Sequence, residues 1–218
     1  VGVELQRAIA IGVSGVVAEK TGAAQQLYNR ASLRVRSLVE AWRAAGEGGQ
    51  VYLAQILASA ADAPQRLRAA TASGHGGFSA EELHLRLRHF EMEDALLDEA
   101  ATALAAGDLP SFGHAVARSQ QYTASMLGNQ VPETILLAQA AGEHGAAAAS
   151  AFGAGFGGCV WALVPAASSS QFLQAWSAAY HGEFPERAAA SRFFTSPAGP
   201  AAFEVFSTPT TPYIGSPT

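Results

Sequence analysis

The chain has 218 residues, of which 49% are hydrophobic and 14% charged, enough to bury the core of one large domain or two modest ones. Its formal net charge of −5 excludes a general nucleic-acid binder, which needs a basic face to neutralise phosphates. A single cysteine excludes an internal disulfide, and no apolar run reaches the roughly 18 residues that cross a bilayer, so the sequence reads as cytoplasmic, with neither nucleic acid nor membrane as partner.

In chain order, RAIAIGVSGVV (Arg7 to Val17) is apolar, partly β-branched and broken by Gly12 and Gly15, which predicts a buried strand running into a turn. The next stretch changes period. Ala31, Val35, Leu38, Val39 and Trp42 share one helical face, with Arg30, Arg34, Arg36 and Arg43 mostly elsewhere as a solvated face, and Gly46, Gly48 and Gly49 end the helix. Shorter helices are expected over Val51 to Leu57 and after Pro64. SGHGG (Ser73 to Gly77) reads as a flexible junction with His75 at a loop tip. Ser79 and Glu82 form a capping box that starts a long helix running to Gly107, and Pro110 and Pro132 each sit in the first turn of the next two. Strands are expected at about 146–152, 159–164 and 191–195, with a helix from Ser169 to about Tyr180 between the last two. STPTTPYIGSPT at the end reads as a tail, disordered by composition. Strand, helices, strand–turn–strand, helix, strand is an α+β order rather than a regular βαβ alternation.

The stretch SAFGAGFGGCVWALV (150–164) contains a literal G-x-G-x-x-G at Gly153, Gly155 and Gly158. A dinucleotide fingerprint needs a helix after its glycines, whose N-terminus receives the pyrophosphate. Here CVWALV follows, so the loop joins two strands and that reading fails on context. Four glycines in six residues still exceed what a hairpin turn needs, which points to a backbone approached closely by another loop or a ligand. Cys159 reads as a small buried hydrophobe rather than a reactive thiol. His89 and Glu93, at i and i+4, can bond each other across a helix face.

GAGFGGCVWALV resembles the third sequence motif of the GHMP small-molecule kinases, in the G-G-G-F-G-G-C form of galactokinases. LYNRAS (27–32) resembles E-Y-N-x-R, and LRHFEMEDALL resembles R-H-V-x-x-E at Arg88, His89 and Glu93. GDLPSFGHAVARSQ resembles a G-D-hydrophobic-x-x-F-G turn and helix, with Gln120 where His is usual, and VPE (131–133) matches a P-E helix start. The departures are Phe152 where galactokinases commonly carry Thr, and Leu136 near a frequently acidic position. GEH at 142–144 copies three letters of the family's sugar signature but lacks its flanks, so Glu143 and His144 read as solvent-facing.

The resemblance implies an α+β fold: a GHMP kinase C-terminal domain, ferredoxin-like split βαβ with extra helices, plus the last strand and helix of the N-terminal domain. The corresponding boundaries are 1–50 for the end of the N-terminal domain and connecting helix, 51–206 for the C-terminal domain and 207–218 for the tail. It also implies an ATP-dependent kinase acting on the C1 hydroxyl of galactose, with ATP and Mg2+ as cofactors. Tyr28 would bond a sugar hydroxyl, and Gly153, Ala154, Gly155, Phe156, Gly157 and Gly158 would close the site over the phosphates. The family's sugar signature, its phosphate loop and its catalytic aspartate are not in this sequence, and it starts at Val1 rather than Met. The expectation is a C-terminal half with no catalytic or metal-binding residue of its own, whose partners are a sugar, ATP and an N-terminal half of the same kinase. Arabinose or galacturonate as substrate, or a non-catalytic sugar sensor, are the alternatives.

Overall fold

A computed structural model describes residues 7–18 and 23–197. The elements follow the order β1 (Arg7–Val13), α1 (Ala23–Ala44), α2 (Leu53–Leu57), α3 (Ala63–Ala70), α4 (Ala80–Ala106), α5 (Leu109–Tyr122), α6 (Pro132–Glu143), β2 (Ala148–Ala151), β3 (Cys159–Pro165), α7 (Ser169–Glu183) and β4 (Arg192–Ser196). The expected final segment, 207–218, lies outside the described residues.

The four strands form one sheet in the order β2-β3-β1-β4, with every neighbouring pair antiparallel. Read from the other edge this is 4-1-3-2, the order of a ferredoxin-like split βαβ sheet, with α1 to α6 in the first crossover and α7 in the second. The strand expected to close a preceding domain, β1, is hydrogen-bonded to both β3 and β4. Its strand ladder ends at Val13, and the predicted turn follows. There Gly15 adopts φ +77, and the Ser14 hydroxyl donates to the Gly158 carbonyl at 2.7 Å while accepting from Val16 N–H at 3.1 Å.

Two cores result. Alternate residues of β3 (Val160, Ala162, Val164) join Ala10, Leu137, Ala141, Phe172, Trp176 and Tyr180 between the sheet and helices α6 and α7. Leu38, Val39, Trp42, Leu53, Ile56, Leu67, Leu83 and Leu87 form a second, all-helical core. The predicted capping box is present: Ser79 Oγ accepts from Glu82 N–H at 3.2 Å, and Glu82 Oε2 accepts from Ser79 N–H at 3.1 Å. Asp108 caps α5 by accepting from Ser111 N–H at 3.1 Å. Gly113 explains the F-G pair of the turn-and-helix motif. A Cβ there would collide with the Ala147 carbonyl, so only glycine lets α5 lie this close to the start of β2.

Three local expectations are corrected. The 73–77 junction is a tight turn, closed by reciprocal backbone bonds between His75 and Phe78 (3.1 and 3.0 Å). The arginines of α1 are not a uniformly solvated face. Arg30 and Arg34 both pair with Glu82 and lie 5.2 and 5.8 Å over the Phe78 ring, and the hydrogen bonds of Arg34, Ser79 and Arg30 hold the Glu82 carboxyl down at about 2. His89 and Glu93 do not bond each other: Arg86 Nη1 donates to His89 Nδ1 at 3.0 Å, and Ser119 Oγ donates to Glu93 Oε2 at 2.9 Å.

His89 is 5% exposed, and burial together with the neighbouring Arg86 charge pushes its pKa down to about 4. A folded-state value below the unfolded one means that the unfolded chain takes the proton first as pH falls. Stability is therefore full above about 6.5 and is lost as pH drops through about 4, by about 3 kcal/mol. Ring-proton NMR of His89 is expected to show no titration between pH 5.5 and 8. A midpoint near 6.5 would mean that water reaches the ring.

A glycine hairpin over an open groove

The glycine-rich segment is the turn of the β2–β3 hairpin, as the strand reading requires: Phe152 N–H donates to the Cys159 carbonyl at 2.9 Å and no helix follows Gly158. The turn is seated on two other segments. Toward β1, Gly158 N–H donates to the Val16 carbonyl and Ser14 N–H to the Gly158 carbonyl, both at 2.9 Å. Tyr180 Oη, wholly buried, donates to the Ser14 carbonyl at 2.5 Å and so anchors this platform to α7. Toward α6, Asn129 clamps the turn from both sides. Its carbonyl accepts from Phe156 N–H at 2.5 Å, and its Nδ2 donates to the Ala154 carbonyl at 3.0 Å.

The clamp continues into a side-chain relay. Gln130 Nε2 donates to Asn129 Oδ1 at 3.1 Å, and Gln120 Nε2 donates to Gln130 Oε1 at 3.3 Å. Gln120 Oε1 then accepts from Ala151 N–H at 2.9 Å and from Ser150 Oγ at 3.0 Å. Gln120, in the position where the family motif has His, thus ties α5 to the edge strand that feeds the turn. Between Gln120 and Asn129 the helix widens into a single π-helical turn, Thr123–Leu127, a local underwinding often found at functional sites.

Backbone geometry sorts the predicted loop residues. Gly155 has φ +88 and is buried, and a Cβ there would overlap the Asn129 carbonyl, with the carbonyl carbon at 2.8 Å. Phe156 adopts φ +61, a left-handed conformation costly for an aromatic residue, and the Asn129 bond helps hold it. Gly157 is buried against Val16, whereas Gly153 and Ala154 are exposed. The loop is therefore both a turn and a site of close backbone approach.

Gly153, Ala154 and Phe156 form one wall of an open groove of about 920 Å³ whose other walls come from α1, the segment 51–53, α4, the π-helical turn and Asn129. Tyr28 falls in α1, and its side chain lies outside the described residues. The α1 residues that follow it by one to two turns, Ala31, Ser32 and Val35, line the groove. Glu143 and His144 are exposed at the end of α6, away from it. Cys159 is half-buried, which pushes its thiol pKa up and leaves it protonated at neutral pH. The sequence reading missed Ser14, Asn129, Gln130 and Arg86. Ser14 carried a signal, as a small polar residue placed where an apolar strand stops.

Among the described residues no group of three or more His, Cys, Asp or Glu side chains is placed to hold a metal ion. No described helix is long and apolar enough to cross a membrane.

An all-antiparallel 4-1-3-2 sheet is the ferredoxin-like split βαβ arrangement that the motif resemblance implies, with β1, expected at the end of a preceding domain, among its strands. The family model for the C-terminal domain of GHMP kinases matches residues 100–182, from the end of α4 through α7. The structure is similar to Lactococcus lactis galactokinase complexed with galactose (TM-score 0.69, 24% identity, covering 89% of this chain and 46% of that one). It is also similar to L. major mevalonate kinase in complex with R-mevalonate (TM-score 0.50, 15% identity, covering 87% and 42%). No curated protein matches the sequence. The family model thus matches this part of the chain, and the structural likeness shows a shared fold. The chain spans less than half the length of either structure.

Proposed function

We propose that this chain is the C-terminal portion of an ATP-dependent cytoplasmic sugar kinase that phosphorylates the C1 hydroxyl of galactose. The catalytic aspartate, the phosphate loop and the Mg2+ ligands would belong to an N-terminal half of the same kinase. The observation that carries the reading is the glycine hairpin, held by Asn129 and Ser14 against the groove in the segment that matches the galactokinase motif. Phosphoryl transfer asks a protein chiefly for positioning and for charge stabilisation in a site that excludes water. The loop's part in that scheme is to close the site with backbone alone. Gly153, Ala154 and Phe156 form the closing wall, while Gly155 and Gly157, packed on Asn129 and Val16, keep that wall from shifting. Tyr28, at the start of α1, would donate to or accept from a sugar hydroxyl. Phe152 favours a second reading, another sugar such as arabinose or galacturonate: it is 48% exposed at the entrance to the turn, where the galactokinase motif has Thr.

The test is a coupled assay with galactose and ATP. The 218-residue chain alone is expected to give no turnover above a vector control, and the chain expressed with its N-terminal half is expected to be active. In the joined enzyme Tyr28→Phe should raise the galactose KM by roughly 3- to 10-fold with little change in kcat, the effect of one lost hydrogen bond. Turnover by the chain alone would mean that the catalytic group has been misplaced. A joined enzyme that phosphorylates none of the three sugars would overturn the kinase reading.

A further inference from the structure

The groove is positively charged although the chain as a whole is acidic. Three arginines, Arg36, Arg43 and Arg86, line it against one glutamate, Glu40. Two of the three are engaged: Arg36 Nε donates to Glu40 at 2.8 Å, and Arg43 Nε donates to the Gln50 carbonyl at 2.8 Å. Arg86 differs. Among the described residues it forms no ion pair, and its one hydrogen bond goes to His89 Nδ1, a ring that is neutral at pH 7 and so supplies no counter-charge. Its Nε–H is buried without a partner, as is the Nε–H of Arg34. Burial and the Arg34 charge push the Arg86 pKa down, opposed by the pull of Glu93, whose Oε1 is likewise buried without a hydrogen-bond partner. A guanidinium does not deprotonate in a protein, so this site holds a half-buried cation that, among the described residues, has the Glu93 charge to oppose its desolvation but no ion pair.

We propose that Arg86 is the anion-recognising group of this groove and that the ligand it takes carries a phosphate. The choice of phosphate over carboxylate rests on the kinase reading above; the requirement for an anion does not. A planar guanidinium matches phosphate oxygens with parallel N–H donors, and 920 Å³ is ample for a nucleotide or a sugar phosphate. The exposed Ser32 hydroxyl and the Gly153–Ala154 backbone line the same groove and are the polar neighbours such a ligand would meet. An anion at Arg86 supplies the ion pair that the described residues do not.

The experiment is calorimetric titration of the 218-residue chain with inorganic pyrophosphate at low salt, with ATP, galactose 1-phosphate and citrate as further arms. Saturable one-site binding of pyrophosphate is expected, weakened at least 10-fold by Arg86→Met, less than 5-fold by Arg86→Lys and less than 3-fold by Arg43→Met. In wild-type protein the Arg86 Nε–H NMR resonance should shift on saturation, which keeps the test decisive should Arg86→Met fail to fold. Tighter binding of ATP assigns the phosphate to a nucleotide, and tighter binding of galactose 1-phosphate assigns it to a sugar ester; either supports the proposal. Absence of saturable pyrophosphate binding, an unmoved Arg86 resonance, or citrate bound as tightly as pyrophosphate would overturn it. Because sugar turnover does not enter, pyrophosphate binding lost with Arg86 stands even if the joined enzyme proves inactive.

Discussion

Gly155→Val is expected to destabilise the chain by about 3 kcal/mol, or to displace the hairpin turn altogether, whereas Gly153→Val costs about 1 kcal/mol. Both positions have positive φ, +88 and +65, so both substitutions carry the left-handed backbone penalty. They differ in what a side chain meets. Nothing lies within 4 Å of a Cβ at Gly153, while one at Gly155 runs into the backbone of Asn129, which cannot swing aside as a flexible side chain would. The Asn129 carbonyl is also the acceptor for Phe156 N–H, so pushing it away breaks the clamp itself. Thermal melting ranks the two variants, and hydrogen exchange at residues 153–158 reports the turn directly. Equal destabilisation would mean that the glycines serve only turn geometry and that close approach contributes nothing.

Trp176→Ala is expected to cost about 3–5 kcal/mol, read as a lowered urea midpoint. Trp176 is wholly buried between the sheet and α6, its ring 5.2 Å from Phe172 and 5.3 Å from Phe193, the latter edge-on. Its indole N–H donates to the Leu137 carbonyl at 2.9 Å, which fixes the ring's orientation and gives the one polar atom of the side chain a partner. Trp176→Phe removes that bond but keeps most of the packing, so its cost should fall to about 1–2 kcal/mol. If Trp176→Ala cost under 1 kcal/mol, the sheet core would not depend on this ring.

What could be read from the residues was what local chemistry decides. Ser79 and Glu82, Pro110, Pro132 and the helical face through Val35, Leu38 and Trp42 each specify a start or a buried side without reference to the rest of the chain. The β-branched run after Gly158 was enough to reject a phosphate-binding helix there. What could not be read was non-local. Nothing around Asn129 announces that its carbonyl meets Phe156, and the spacing of His89 and Glu93 suggests a bond that Arg86 and Ser119 each divert. The position of β1 between β3 and β4 is equally invisible in its own eleven-residue apolar stretch, because strand order is a property of the whole sheet. The same holds for the groove, whose walls come from segments that share no sequence pattern.

The placement of β1 has a consequence for the order of assembly. Its Ser14 meets Gly158 across 144 residues, and its other neighbour, β4, lies farther along still. The all-helical core, by contrast, is drawn from residues 38 to 87 and closes through short connections. Loop-closure entropy favours contacts between near neighbours, so the helical core is free to form while the first strand still waits for the last two. The glycine turn, which needs both Asn129 and the end of β1, is then among the last parts to be built, and the groove acquires its closing wall only when Ser14 and Val16 have met Gly158.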